Sequence, residues 1–270
     1  ILMVTNHGVH EFQITAGLPD TGGQNVYVNE LSGALVRLGF RVTTANRGGY
    51  PHPVSEEART GTVYRGDHER IVYLEDSSDE FIRKEDMFSQ TSELGEALAA
   101  RLADEGESPV LVISHYWDGA RVAEIARHEL ASTAGATPPP HAWIPHSLGK
   151  LKKQNTDSSE WDELRIPERI SEEEAIVREV DYLVHTSAAM EDSLRDEYGV
   201  TASIFLPPGV DTNRFEPERV REDRSALELL SGHLPLGARE IESAPLVTEI
   251  SRTVATKRKD VLIKAFAEVR

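Results

Sequence analysis

The sequence predicts an α/β fold in which helices cover a doubly wound, mostly parallel sheet, and three observations support this. Short β-rich runs alternate with amphipathic stretches almost from end to end, which is the pattern of repeated βαβ units. The hydrophobic share is 39% and the charged share 28%, as in ordinary globular domains. A chain of 270 residues can also bury a substantial core.

Seven strands are predicted in the first part of the chain. They are the segments 1–6, 40–46, 70–74, 109–115, 141–147, 182–187 and 203–208. Apolar residues at helical spacing predict helices between them. Their predicted buried faces carry Val28, Leu31, Leu35 and Leu38, then Leu94, Leu98 and Leu102, then Met190 and Leu194. Gly39 and Gly199 stand where helix C-caps are expected.

The pattern changes near residue 216, which predicts a domain boundary. We expect residues 1–215 to form a Rossmann-like domain and residues 216–244 to form a linker or insertion. Residues 245–270 would begin a second Rossmann-like domain, with a strand at 245–251 and a helix carrying Leu262, Ala265, Phe266 and Val269. Because one strand and one helix do not complete a sheet, the chain is predicted to be a fragment.

Charge and composition exclude several classes of function. A net charge of −17 argues against binding to nucleic acid, which requires a positive surface. No apolar stretch approaches the ~20 residues that a membrane span needs. The chain has no cysteine, which excludes disulfides and thiolate metal sites and fits a cytoplasmic location. Lys150, Lys152 and Lys153 nevertheless form a local cationic spot that could bind a small anion.

A diglycine turn precedes the first predicted helix. Gly22 and Gly23 would let a diphosphate approach the backbone, where the helix N-terminus stabilises negative charge. Taken alone, the pattern is explained more simply by a tight turn. It is not GxGxxG, which weighs against a nicotinamide or flavin dehydrogenase.

A second loop with candidate ligand-binding residues follows the fifth predicted strand. Residues 146–153 read HSLGKLKK, and open α/β sheets bind ligands at the carboxyl ends of their strands. The helix that follows this loop carries Arg169. The simpler alternatives are a structural histidine, a solvated lysine turn, and an Arg169 that pairs with Glu172 or Glu173 along its helix.

Four motifs taken together indicate a family. They are LPDTGGQ at 18–24, SHYWDG at 114–119, HSLGKLK at 146–152 and LPPGVDTNRF at 206–215. This set resembles the motifs of retaining glycosyltransferases of the sucrose-phosphate synthase and sucrose synthase family. The resemblance implies GT-B architecture, in which two Rossmann-like domains face each other.

The resemblance also implies roles for residues of the first domain. Gly22 and Gly23 would lie against the transferred sugar and diphosphate of the donor, and Gln24 would contact the acceptor. His146 would be a catalytic residue that contacts the transferred glucose, while Lys152 and Arg169 would hold the acceptor phosphate. Tyr116 would line the acceptor pocket with His115 and Asp118, and His7 and Gly8 match the family's HG motif.

On the donor side, the block SRTVATK resembles the family's SRxxxxK element. It implies that Arg252 and Lys257 bind the donor diphosphate and act as catalytic cations as the glycosidic bond breaks. Val254 replaces the family's usual Asp. The family's paired glutamates would lie beyond Arg270.

The implied reaction is glucosyl transfer from UDP-glucose or ADP-glucose to fructose 6-phosphate with retention, forming sucrose 6-phosphate. Nucleotide-sugar and sugar phosphate would be the small-molecule partners, with no nucleic acid and no membrane, and no cofactor or metal is implied. The alternatives are a sucrose synthase that uses free fructose, another retaining transferase of the family, a sugar-nucleotide 2-epimerase, and a non-catalytic sugar-phosphate-binding fragment. The 270-residue chain alone is expected to be inactive.

Overall fold

The structure is a computed structural model that describes residues 1–15, 17–213, 215–216, 224–251 and 257–269. The chain divides into two compact units, Ile1–Gly209 and Val210–Arg270. None of the helices in the described ranges has the length and apolarity needed to cross a bilayer.

The first unit contains an eight-stranded sheet in the order β3-β4-β2-β1-β5-β6-β7-β8. The strands are β1 Leu2–Val4, β2 Val42–Arg47, β3 Thr62–Tyr64, β4 Glu69–Leu74, β5 Val112–His115, β6 His141–Ile144, β7 Tyr182–His185 and β8 Ile204–Phe205. All neighbouring strands are parallel except β3, which is antiparallel to β4. The chain winds outward from β1 in both directions, so the predicted doubly wound sheet is confirmed; the short edge strand β3 was not predicted.

Six α-helices of the first unit connect the strands. They are α1 Gly23–Arg37, α2 Thr91–Asp104, α3 Tyr116–Ala134, α4 Gly149–Gln154, α5 Ile166–Glu179 and α6 Ala188–Tyr198, with short 3-10 helices at Met87–Ser89 and Ser158–Glu160. Gly199 caps α6 with a φ of 70°, as predicted. Gly39 follows the C-cap residue of α1 with a φ of 92°.

Helices cover both faces of the sheet, and each face has its own hydrophobic cluster. Leu94, Leu98 and Trp117 pack in the larger cluster and Met3 and Val28 in the smaller one. The predicted faces of α2 and α6 are therefore buried. The prediction for α1 is wrong at one position: Leu38 is 74% exposed, because the helix ends at Arg37 and the chain turns there.

The second unit contains α7 Ser225–His233, α8 Ala238–Ser243 and α9 Lys259–Val269. The helix predicted around Leu262 and Phe266 is present as α9. The strand predicted at residues 245–251 is wrong, since those residues are not in a strand. A strand needs a neighbour for its N–H and C=O groups, and none of the eight strands of the sheet lies in this unit.

The sheet topology creates a crevice at the carboxyl ends of the strands, which is where open α/β sheets bind ligands. β1 pairs with β2 on one side and β5 on the other, so the loops after β1 and β5 diverge and leave a crevice. The loop that follows β6 opens onto the same edge, because β5 and β6 are parallel.

Candidate functional site

The diglycine turn lies at the start of α1, as predicted, with Gly23 as the first helical residue. The Gly22 N–H donates to Asn25 Oδ1 at 2.9 Å, which holds the turn. A Cβ built on Gly22 or Gly23 would meet no atom within 4 Å, so packing within the protein does not require glycine there. The turn therefore leaves open space beside a helix N-terminus, where an anion is stabilised.

Gly8, in the loop after β1, is a glycine of a different kind. Its φ is +74°, and a Cβ at this position would lie 2.3 Å from the backbone oxygen of Asp20. This contact folds the single loop between β1 and α1 so that its first residues lie against its last residues. Gln24 connects the same two segments, because its Nε2 donates to Thr5 Oγ1 at 3.1 Å.

Two histidines meet at the carboxyl ends of the neighbouring strands β5 and β6. His115 ends β5 and is fully buried, while His146 follows β6 and is partly buried. His115 Nδ1 and His146 Nε2 are 2.8 Å apart, and the rings stack with centroids 5.1 Å apart. Burial lowers the pKa of His146 to about 3 and lowers the pKa of His115 well below its usual value. Both rings are therefore neutral near pH 7.

The backbone at His146 is strained, which fixes the direction of its ring. His146 has a φ of 56°, in the left-handed region that non-glycine residues rarely adopt. Ser147 N–H donates to Pro145 O at 2.6 Å across it, closing a three-residue turn. Such strain persists where the surroundings enforce it, often at functional sites.

His7, Tyr116 and Asp118 form a second group beside the histidine pair. Both carboxylate oxygens of Asp118 lie 3.1 Å from His7 Nδ1, and the His7 backbone N–H donates to the same carboxylate at 3.1 Å. The His7 ring meets the Tyr116 ring edge-on at 4.7 Å. Tyr116 is 5% exposed, so little of its side chain is available for direct contact with a ligand.

A cluster of charges surrounds Lys152. Its Nζ lies 3.6 Å from Glu85 Oε1, and Lys84 Nζ lies 3.0 Å from the same oxygen. Lys84 also pairs with Asp20 at 2.5 Å. Burial lowers the pKa of Lys152, and the nearby Arg169 and Lys84 lower it further against the opposing effect of Glu85. An additional negative charge at this point would be favourable.

Arg169 is 3% exposed and is held in place by its neighbours. Its Nε donates to Glu173 Oε1 at 2.7 Å, and its Nη2 donates to Ser147 O at 2.6 Å and Ser147 Oγ at 2.9 Å. The guanidinium also lies 4.4 Å over the Tyr116 ring. The predicted pairing with Glu173 thus exists, and it ties α5 to the loop that carries His146. The role of Arg169 in phosphate binding stays a prediction.

The cationic spot predicted for Lys150, Lys152 and Lys153 is wrong as a single cluster. Lys150 pairs with Glu174 at 2.6 Å and lies over the Tyr198 ring. Lys153 lies 4.6 Å over the Trp161 ring. These residues follow one another on α4, so helical geometry turns their side chains in different directions. Lys152 is the one of the three that joins Lys84 and Glu85.

Sequence reasoning missed Asp20, Lys84 and Glu85. Asp20 lies within the LPDTGGQ motif but was passed over for the glycines. Lys84 and Glu85 lie on the loop after β4, whose carboxyl end faces the same edge as the motifs. That position was the available signal, because charged residues after parallel strands meet at one edge.

The predicted donor-side cations belong to the second unit by sequence position. Arg252 lies outside the described residues. Lys257 is exposed in the second unit. In the part of the chain that the structure describes, no three His, Asp or Glu side chains are grouped as metal ligands.

Comparisons with known proteins match this chain to glycosyltransferases. Residues 21–214 match the family model Glycosyltransferase Family 4. The chain is 30% identical over 226 residues to mannosylfructose-phosphate synthase of Agrobacterium fabrum, covering 80% of this chain and 47% of that protein. It is 29% identical over 260 residues to D-inositol 3-phosphate glycosyltransferase of Geodermatophilus obscurus, covering 94% and 51%. The chain spans about half the length of these curated relatives.

A solved structure extends the match to the fold. Sucrose-phosphate synthase of Thermosynechococcus elongatus superimposes with a TM-score of 0.75 and 25% identity, over 99% of this chain and 59% of that one. The resemblance predicted from the four motifs is confirmed, and the first unit matches the predicted Rossmann-like N-terminal domain of GT-B glycosyltransferases.

Proposed function

Because the chain belongs to Glycosyltransferase Family 4, we propose that it forms the acceptor side of an enzyme that transfers a glycosyl group to a sugar phosphate. The specific reaction proposed is glucosyl transfer from UDP-glucose or ADP-glucose to fructose 6-phosphate with retention. The product would be sucrose 6-phosphate. Two of the similar proteins are named as synthases of a phosphorylated disaccharide that contains fructose, which is the kind of product proposed here.

The observation that carries the proposal is the surroundings of Lys152. Lys84 and Lys152 share the single carboxylate of Glu85, and the Lys152 contact is the looser of the two at 3.6 Å. A phosphate dianion near Lys152 would supply the charge that lowers the energy of both ammonium groups, and charge-assisted hydrogen bonds to phosphate are among the stronger ones. This favours fructose 6-phosphate over free fructose as the acceptor.

The proposed mechanism relies on positioning and electrostatics. The acceptor phosphate would bind Lys152 and Lys84, with Arg169 holding the loop that carries His146. The donor diphosphate would approach the open turn at Gly22 and Gly23, and Arg252 and Lys257 would neutralise it as the bond to the sugar breaks. The departing diphosphate would guide the acceptor hydroxyl onto the same face of the sugar, so retention would require no enzymatic nucleophile.

The test is an assay of the full-length protein. UDP-glucose or ADP-glucose is incubated with fructose 6-phosphate, and release of the nucleotide is measured together with formation of a disaccharide phosphate. Parallel reactions contain free fructose or no acceptor. Transfer to fructose with no preference for the phosphate would overturn the proposed acceptor, and nucleotide release without any disaccharide would overturn the transfer.

A second acceptor is favoured by one specific observation. The match to a D-inositol 3-phosphate glycosyltransferase covers 94% of this chain, more than the match to the mannosylfructose-phosphate synthase. The same assay therefore includes D-inositol 3-phosphate. A higher kcat/KM for inositol 3-phosphate than for fructose 6-phosphate would replace the sucrose-phosphate proposal while keeping the sugar-phosphate class.

The non-catalytic alternative is tested by calorimetry on the 270-residue chain. Binding of fructose 6-phosphate to this chain, without turnover of UDP-glucose, is expected if it contains the acceptor site alone. Absence of sugar-phosphate binding would count against the placement of that site around Lys152.

A further inference from the structure

The ring of His146 is held in one orientation by its neighbours. His115 stacks on it, with an interplanar angle of 24°. Tyr27 meets the His146 ring edge-on at 5.0 Å, and its hydroxyl donates to Leu206 O at 3.0 Å. The three-residue turn fixes the backbone below the ring. Any hydrogen bond that His146 makes to a ligand is therefore determined by the atom that the fixed ring presents.

Only one atom of the His146 ring is left for a ligand. Nε2 is used by the 2.8 Å hydrogen bond to His115 Nδ1. Nδ1 has no hydrogen-bond partner among the described residues. It is also not one of the fully buried polar atoms that lack a partner, so a ligand can reach it. The ring is neutral, so Nδ1 either carries the proton and donates or has a lone pair and accepts. The direction of the bond to His115 decides between the two.

The enclosed side of His115 indicates this direction. His115 Nε2 is buried and has no hydrogen-bond partner in the described part of the chain. If His146 donated to His115, the remaining proton of His115 would be on Nε2, as a buried N–H without an acceptor. If His115 donates from Nδ1, Nε2 has only an unused lone pair. Orphaned buried N–H groups are rarer than under-satisfied acceptors, so the second arrangement is favoured.

We propose that His115 is a positioning residue that donates from Nδ1 to His146 Nε2 and thereby places the proton of His146 on Nδ1, the ring nitrogen that remains free for a ligand. His146 is then a neutral hydrogen-bond donor and has no lone pair with which to act as a base. Its partner is an oxygen that accepts a hydrogen bond, either a hydroxyl of the transferred glycosyl group or a phosphoryl oxygen of the nucleotide-sugar donor. This last step rests on the proposed function, whereas the tautomer itself does not.

The tautomer is measured directly by NMR on the 270-residue chain with ¹⁵N-labelled histidine. Long-range ¹H–¹⁵N correlation distinguishes a protonated from an unprotonated ring nitrogen, and the His146 signals are identified by their loss in His146→Gln. The expected result is a protonated Nδ1 and an unprotonated Nε2 for His146 near pH 7. A protonated Nε2 on His146 overturns the proposal, whatever the enzyme's substrate.

Two variants of His115 test its role. His115→Asn places an amide N–H near the position of Nδ1, so the His146 tautomer is expected to persist. His115→Leu removes the donor, and the His146 proton is expected to move partly or wholly to Nε2. An unchanged tautomer in a folded His115→Leu protein overturns the role of His115. Where His115→Leu does not fold, loss of the tautomer in His115→Asn overturns it instead.

Activity of the full-length enzyme supplies a separate readout. Loss of one neutral hydrogen bond to the transferred group predicts a fall in kcat/KM of about tenfold in His115→Leu, with His115→Asn near wild type. The KM for the acceptor phosphate should change little. If the tautomer shifts as expected in His115→Leu while glycosyl transfer is unaffected, the proposed hydrogen bond from His146 to the ligand is overturned. The assignment of the His146 tautomer is then kept.

Discussion

Lys152 and Glu85 are paired more loosely than the ion pairs around them. The Lys152 Nζ to Glu85 Oε1 distance is 3.6 Å, whereas Lys84 reaches the same oxygen at 3.0 Å. The burial that lowers the pKa of Lys152 is only partly offset by this carboxylate. A ligand that brings its own negative charge can therefore bind Lys152 without breaking a strong hydrogen bond within the protein.

Lys152→Ala is expected to raise the KM for fructose 6-phosphate far more than the KM for the nucleotide-sugar. Loss of a charge-assisted hydrogen bond costs about 1.5–3 kcal/mol, which is roughly a ten- to hundredfold rise. Steady-state kinetics of the full-length enzyme measure both constants. Lys153→Ala is the matched control, because Lys153 covers the Trp161 ring instead. An equal rise in both constants would refute the assignment.

Glu85→Gln is expected to destabilise the chain in the absence of phosphate. Glu85 is 8% exposed and is shared by Lys84 and Lys152, so its loss leaves two cations with one carboxylate fewer. The cost is about 1–3 kcal/mol. Thermal unfolding of the 270-residue chain measures it, with and without inorganic phosphate.

Phosphate should raise the Tm of Glu85→Gln more than that of wild type, since the anion replaces the lost charge. Asp86→Asn is the control, because Asp86 pairs with the half-exposed Arg83 away from Lys152. Equal phosphate-induced shifts in wild type and Glu85→Gln would contradict the shared-carboxylate account.

Glu173→Gln is expected to be among the more destabilising changes in the first unit. Glu173 is fully buried; it pairs with Arg169 at 2.7 Å and accepts the Gly149 N–H at 2.7 Å. Removing its charge leaves a buried guanidinium unpaired, which costs about 3–5 kcal/mol. Urea unfolding provides the free energy. The adjacent Glu174→Gln should cost under about 1 kcal/mol, because Glu174 forms a partly exposed pair with Lys150; comparable losses would show that Arg169 does not depend on Glu173.

The fold was largely predictable because its signals are local. The parallel strands lie within short β-rich runs of the sequence, and the periodic faces of α2 and α6 are buried as expected. The prediction failed for residues 245–251, which read as a strand but have no strand beside them among the described residues of their unit. Pairing is a property of two segments, and a pattern in one segment cannot supply the other.

The site was less predictable, because its partners come from distant loops. Motifs identified Lys152 and His146, yet Lys84 and Glu85 lie more than sixty positions earlier and belong to no motif that was recognised. The separation of Lys150 and Lys153 from Lys152 is likewise set by side-chain direction on α4. Sequence motifs identify candidate residues, whereas the fold determines which of these residues come into contact.

Stability is expected to fall as the pH drops below about 6.5. Burial lowers the pKa of His10 and of His146 to about 3 in the folded chain. Below the unfolded pKa the unfolded chain binds protons that the folded chain does not, so the stability present above that pH is lost progressively toward the folded pKa. Between about pH 6.5 and 4.5 this loss belongs mainly to histidines, since carboxylates titrate lower.

Urea unfolding at several pH values measures the slope. His146→Gln should reduce it by up to one proton, or about 1.4 kcal/mol per pH unit. His128→Gln is the control, because the His128 side chain is 61% exposed. Equal slopes in wild type and His146→Gln would show that the His146 ring is not held neutral by burial.

Gly23→Ala is expected to separate stability from catalysis. The new Cβ meets no protein atom within 4 Å, and Gly23 is the first residue of α1, so stability should be unchanged or slightly higher. The methyl group would instead occupy the space through which a diphosphate reaches the helix N-terminus. Displacing a reacting group by about 1 Å can cost roughly a hundredfold in rate, so kcat/KM for the donor should fall steeply. Gly33→Ala in the same helix is the matched control, because its Cβ would make only an ordinary 3.5 Å contact with Arg37. If both variants transfer sugar as well as wild type, the open space at the turn is not where the donor binds.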